Sequence, residues 1–161
     1  MSSLTRVRWS LVPLRLAVGT GFFMHGLVKL GRGPDKFGKL LALIGVPMPV
    51  PTAWMVTSVE ILGGLALLAG AFVALASIPL IGTMLVAMFT IHIHNGFSAV
   101  NTVGLSPTGP LFGPPGYEIN LLYIGALVAL ALGDVTPLSV DALVSARRAP
   151  RPHSRAPHPG A

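Results

Sequence analysis

The run AWMVTSVEILGGLALLAGAFVALASIPLIGTMLVAMFTI, 39 residues from Ala53 to Ile91 with Glu60 as its one charge, limits the possible folds more than any other part of the chain. As a single helix it would extend ~58 Å, about twice the hydrocarbon core of a bilayer. It must therefore fold back once, between Gly70 and Pro79. The rest of the composition agrees: 52% of the residues are hydrophobic and 10% are charged, against roughly 25% charged in soluble domains. With a mean hydropathy of +0.74, the chain reads as an integral membrane protein.

Two further apolar segments flank the hairpin, LVPLRLAVGTGFFMHGLVKLG from Leu11 to Gly31 and YEINLLYIGALVALALGD from Tyr117 to Asp134. The expected fold class is all-α, an integral membrane four-helix bundle with spans at about 11–31, 53–71, 77–95 and 117–134. Residues 1–10 form an N-terminal cytoplasmic segment and 11–143 the transmembrane domain. A cleaved signal peptide is the alternative for the first span, but Arg15 interrupts its apolar region and no small-residue cleavage site follows. Trp9, Trp54 and Tyr117 each precede a proposed span, where interfacial aromatics belong.

The formal charge of +6 divides unevenly. Residues 1–146 hold seven Lys and Arg and five acids, for +2, and Arg147, Arg148, Arg151 and Arg155 supply the rest. The segment 144–161, rich in Pro and Arg, reads as a disordered juxtamembrane tail meeting anionic lipid headgroups, and not as a nucleic-acid site. Arg6 and Arg8 lie at the same end, so both termini are expected in the cytoplasm and the chain in the inner (plasma) membrane as a multi-pass protein. Arg32, Lys36 and Lys39 in the first loop are the opposing observation.

That loop carries a pattern of its own. Phe37, Leu40, Leu41 and Ile44 fall at i, i+3, i+4 and i+7 while Lys36 and Lys39 turn away, which predicts a short helix in the membrane interface. Pro47, Pro49 and Pro51 at alternate positions predict an extended return to the second span. The third loop, GFSAVNTVGLSPTGPLFGPPG, has five Gly and four Pro in 21 residues and no charge, and is expected to tuck against the bundle mouth. Gly19, Gly21, Gly26, Gly63, Gly64 and Gly70 offer small surfaces for close helix packing.

Ionisable groups inside spans are costly and need a partner or a purpose. They are Arg15, His25, Lys29, Glu60, His92, His94 and Glu118. Because successive helices alternate direction, all except Arg15 fall in the half of the membrane covered by the two long loops. His25 and Lys29 share a helical face, and Glu60, ~10 Å below the interface if its helix starts near Ala53, is best satisfied by His or Lys from a neighbouring helix. His92 and His94 lie ~200° apart on a regular helix and cannot make one bidentate metal site, so no metal is expected. Periodicity continues Thr83, Ala87 and Thr90 into His94, and Met84 and Met88 into His92. Arg15 is expected to snorkel to headgroups or to cap a backbone carbonyl.

RLAVGTGFFMHGLVKL, VEILGGLALLAG, HIHNGF and GYEINLLYIGALVALALGD followed by PLSVD together resemble the DoxX family of small four-helix bacterial membrane proteins. The resemblance would place that family's recurrent polar positions at Arg15, His25, Lys29, Glu60, His92, Asn95, Glu118 and Asp141, and it favours His92 over His94, a second histidine where the family commonly has a proline. It implies a membrane component of an oxidoreductase system, some members being linked to quinones and thiosulfate oxidation. The candidate polar site is therefore His25, Lys29, Glu60, His92, Asn95 and Glu118, with Arg15, His94 and Asp141 secondary; no catalytic residue is assigned. Its expected ligand is a quinone or small redox substrate; haem b between His25 and a third-helix histidine is a weaker option that the sequence does not specify. With no cysteine, a redox role needs a bound cofactor or a partner. The competing reading is a noncatalytic membrane anchor or assembly subunit of a larger complex, docking protein partners through its basic tail, interface helix and third loop.

Overall fold

A computed structural model describes residues 2–148, and within them the apolar segments form long antiparallel helices. Helix α1 spans Ser3–Arg32, α2 Pro34–Leu43, α3 Pro49–Ala69 and α4 Val73–Thr90. A 3-10 turn at His92–Asn95 follows, then the strands β1 (Thr102–Ser106) and β2 (Gly109–Phe112), and the helices α5 (Glu118–Leu132) and α6 (Val140–Arg148). α1 packs on α3, α3 on α4, α4 on α5 and α5 back on α1, a closed ring of four helices, while α2 lies against α3.

The long apolar run reverses at Gly70, whose left-handed backbone ends α3, and at Phe72, also left-handed (φ 51°), which precedes α4. A core of Val18, Phe22, Leu67, Leu80, Leu127 and Leu130 joins all four helices. α1 and α3 approach closely because neither carries a side chain at Gly19 and Gly64: a Cβ on Gly64 would meet the backbone of Phe23 and Gly19. Most other large apolar side chains on these helices face outward, as lipid-facing surfaces do.

Several expectations change. α1 begins at Ser3, with the Ser2 side chain accepting from the Thr5 N–H, so residues 3–10 belong to the first helix and Trp9 lies inside it. α3 begins at Pro49, not near Ala53 after an extended Pro-rich return. Pro49 and Pro51 occupy its first turn, where the N–H groups they lack would have no intrahelical acceptor anyway. Only Pro47 stays outside, its carbonyl accepting from Thr52 Oγ1 at 3.1 Å.

α4 ends at Thr90, so His92–Asn95 form a tight turn and not the last turn of a helix reaching 95. The third loop is not irregular throughout: β1 and β2 pair antiparallel, with Thr102 opposite Phe112 and Ser106 opposite Gly109 and an irregularity at Val103, so the fold is helical with one small hairpin. Residues 144–148 continue α6 and are not part of a disordered tail. The rest of that segment, 149–161, lies outside the described residues. On α2, Pro34, Gly38 and Leu41 are buried against α3, while Leu40 and Leu43 are exposed with Lys36 and Lys39.

Candidate functional site

Helix packing puts one polar layer at a common depth. Gly26 of α1 meets Glu60 and Ile61 of α3, and Gly63 of α3 meets Leu80 of α4. One turn towards the loop-covered end, Glu60 is therefore level with Met84, whose carbonyl accepts from Asn120 Nδ2 of α5 at 3.4 Å. Because α3 starts at Pro49, Glu60 lies near the middle of its helix, ~16 Å along it from Pro49, and deeper than the ~10 Å expected.

Glu60 is 2% exposed. Lys29 Nζ donates to its Oε1 at 2.6 Å, and Lys29 also stands 4.6 Å from the centre of the Phe37 ring. Of the two α1 candidates, Lys29 and not His25 holds the carboxylate; His25 is exposed. The second carboxylate oxygen, Oε2, is buried and has no hydrogen-bond partner among the described residues, and the same is true of Asn120 Oδ1. Two buried acceptors on one layer lack donors, a costly arrangement unless a donor-bearing group reaches them. Tyr123, one turn further along α5, packs edge-on to Phe22 at 5.2 Å.

Asn120 is 2% exposed and belongs to this layer, yet it is absent from the sequence-based set. The sequence carries the signal, since an amide inside an apolar helix needs a partner for the same reason a charge does; the resemblance brings in Asn95 but not Asn120.

His92, Asn95 and Glu118 do other work. His92 Nδ1 lies 3.0 Å from the Pro115 carbonyl and Asn95 Nδ2 donates to the same oxygen at 3.1 Å. A carbonyl only accepts, so Nδ1 of His92 must carry the proton, which leaves Nε2 as an acceptor in the neutral ring. Glu118 Oε2 accepts from the Ala99 N–H at 2.8 Å, while the Tyr117 and Glu118 N–H groups donate to Gly96 and Phe97 carbonyls. These three side chains tie together the two feet of the hairpin loop. His94 is exposed.

At the opposite end Arg15 does not reach headgroups. It is 2% exposed, and its Nη2 donates to the Leu138 carbonyl at 3.0 Å. Asp141 accepts from the Phe72 and Val73 N–H groups at 3.0 and 3.4 Å, capping α4 from a distant segment, and its own N–H donates to Gly70. A Cβ on Gly70 would overlap the Arg15 guanidinium, so this junction requires glycine. Here Arg15 and Asp141 close the short-turn end of the bundle by fastening residues 133–141 across it.

Among the described residues, three helices are long and apolar enough to cross a membrane, and α5 is a shorter apolar helix of 15 residues packed between α4 and α1. That architecture defines a helical membrane protein. The DoxX family model matches residues 10–93, over half of the chain, and the chain belongs to the DoxX family. The match runs from α1 through the start of the 3-10 turn and so covers Arg15, His25, Lys29, Glu60 and His92, while Asn95, Glu118, Asn120 and Asp141 lie beyond it. No curated protein and no solved structure matches the chain.

Proposed function

We propose that the chain is a membrane-embedded component of an oxidoreductase system, in which the buried Lys29–Glu60 pair receives the polar head of a quinone or small redox substrate at the loop-covered end. The observation that carries this reading is Glu60 Oε2, a buried carboxylate oxygen without a donor beside a lysine ammonium. A quinone carbonyl needs a donor, and Lys29 has N–H groups beyond the one given to Glu60. A quinol hydroxyl needs an acceptor, and Glu60 Oε2 offers one. A carboxylate so placed can also take up and release the proton that accompanies each electron. The electrons come from a partner oxidoreductase, in keeping with a chain that has no cysteine. His92 is not a donor in this scheme, because its Nδ1–H serves Pro115.

In this reading α5 is a fourth span. Its 15 residues reach only ~22 Å, which calls for local thinning of the bilayer beside it. Arg6, Arg8 and Arg147 favour termini on the cytoplasmic side of the inner membrane, against Arg32, Lys36 and Lys39 in the first loop. α2 lies in the opposite interface, its exposed Leu40 and Leu43 meeting lipid and Lys36 and Lys39 meeting headgroups.

A second reading, a noncatalytic anchor or assembly subunit, is favoured by the hairpin. β1 and β2 form a two-stranded sheet with, among the described residues, both outer edges unpaired, no charge, and exposed Val103, Leu105, Leu111 and Phe112. Such an edge is a template for a partner strand.

Anaerobic titration of the purified protein with a short-chain quinone analogue separates the two. Glu60→Gln and Lys29→Met are each expected to weaken binding about tenfold, the value of one hydrogen bond to a charged group. His25→Ala leaves binding unchanged. Equal affinity in wild type, Glu60→Gln and Lys29→Met rejects this site, and a wild type that does not bind the analogue favours the anchor.

A further inference from the structure

We infer that the short-turn end carries a binding groove for an anionic phospholipid, built by the α3–α4 turn and α6. A cavity of ≈ 430 Å³ is lined there by Phe72, Val135, Val140, Asp141, Val144 and Ser145. Its walls are mainly carbon, and its apolar side chains remain open: Phe72 is 72% exposed, and Val135, Val140 and Val144 are each about two-fifths exposed. Phe72 holds this position although its backbone is left-handed, a conformation disfavoured for a side chain of that size.

Depth and charge identify the occupant. α3 ends at Ala69, α4 starts at Val73 and α5 ends at Leu132, so the groove lies just past the ends of three apolar helices, at the level where acyl chains meet headgroups. Two arginines flank it. Arg8 Nε donates to the Val135 carbonyl at 2.7 Å, which fixes that guanidinium on one wall. Arg147 is exposed and follows the lining residue Val144 by three positions, which puts it on the same face of α6. The acid in the lining does not oppose an anion, because the Asp141 carboxylate is engaged by the Phe72 and Val73 N–H groups and faces the buried Arg15. Carbon walls for an acyl chain and two guanidinium groups for a phosphate describe a lipid with net negative charge. A zwitterionic lipid would gain the carbon contacts and bring its own cation against the arginines. The inference rests on the α3–α4 turn lying at a membrane surface and is independent of the Lys29–Glu60 site.

The test is native mass spectrometry of the full-length protein released from micelles that contain equal phosphatidylglycerol and phosphatidylcholine. Wild type is expected to retain phosphatidylglycerol preferentially, and Arg147→Gln to lower that preference about fivefold, the worth of one basic residue near a charged surface. Val144→Trp fills the groove and should lower retention of both lipids, with Val140→Trp doing the same from the other side if the first variant fails to fold. Arg32→Gln, at the opposite end, leaves the preference intact. Equal retention of the two lipids by wild type overturns the proposal, as does a preference that survives Arg147→Gln or that Arg32→Gln lowers as much.

Discussion

Glu60 and Lys29 are solvated very differently: the carboxylate is 3% exposed at its side chain and the ammonium side chain 25%. Lys29 has a route to water or headgroups and Glu60 has only Lys29. Loss of the lysine therefore strands a buried charge, whereas loss of both leaves a cavity that carbon can fill. Lys29→Met is expected to lower unfolding free energy by about 3 kcal/mol, and Lys29→Met with Glu60→Met to recover most of it. Denaturant titration in mixed micelles measures both; a double variant as unstable as the single would mean that the charge pair itself is stabilising.

Residue by residue, the sequence points to Glu60 as a buried charge in need of a partner but does not sort the rest: of the seven ionisable candidates only Arg15 and Glu60 are buried, while His25 and His94 are exposed. That Glu60 needs a cation from a neighbouring helix follows from the cost of an unpaired carboxylate in an apolar run. The i, i+4 spacing of His25 and Lys29 put both within reach by periodicity. The buried stripe of α1 instead runs through Phe22 and Gly26 towards Lys29, and His25 falls outside it. Of the two roles expected for Arg15, it takes the carbonyl cap and not the headgroup contact; which carbonyl is not legible, because Leu138 is 123 positions away in the chain and leaves no local mark.

At the scale of elements, the long helices were legible because twenty apolar residues have few other uses. Their ends were not. Pro49 and Pro51 look like helix breakers, yet a first turn has no N–H bonds for them to break. The hairpin was hidden by the Gly and Pro around it. Its two short apolar runs, TVGLS and GPLF, meet across Pro107–Thr108, and Ser106 Oγ closes the turn by donating to the Gly109 carbonyl at 2.8 Å. The boundary expected at 143/144 cuts α6 in two, because its second half runs into the arginines that mark the tail.

Glycines can be ranked in the same way. Gly64→Ala would press a methyl group onto the backbone of α1 and is expected to destabilise the bundle by about 1–3 kcal/mol. Gly82→Ala meets open space on α4 and should be neutral or slightly stabilising. Thermal unfolding of the two variants in one detergent checks the difference, and equal melting temperatures would contradict the close α1–α3 approach.

Across the whole molecule, the two ends of the bundle have different tasks. The short-turn end is fastened by Arg15, Asp141 and Ser139, each holding backbone groups of the crossing segment or of α4. The loop-covered end spends His92, Asn95 and Glu118 on tying down the hairpin, and leaves Glu60 and Asn120 beneath it each with a buried acceptor that has no donor among the described residues. The expectation of one polar site at that end thus divides into a loop clamp near the surface and a deeper layer between the helices. Depth from helix direction was readable in the sequence. Which polar groups would meet was not, because that depends on helix rotation and on loops whose side-chain bonds join residues 19 to 23 positions apart.

The central claim is that Glu60 exchanges hydrogen bonds or protons with a redox ligand, and redox-induced infrared difference spectroscopy of the protein in bilayers with a bound quinone analogue tests it most directly. The account predicts a carboxyl band that changes between the oxidised and reduced ligand and vanishes in Glu60→Gln. Identical difference spectra for wild type and Glu60→Gln would contradict it.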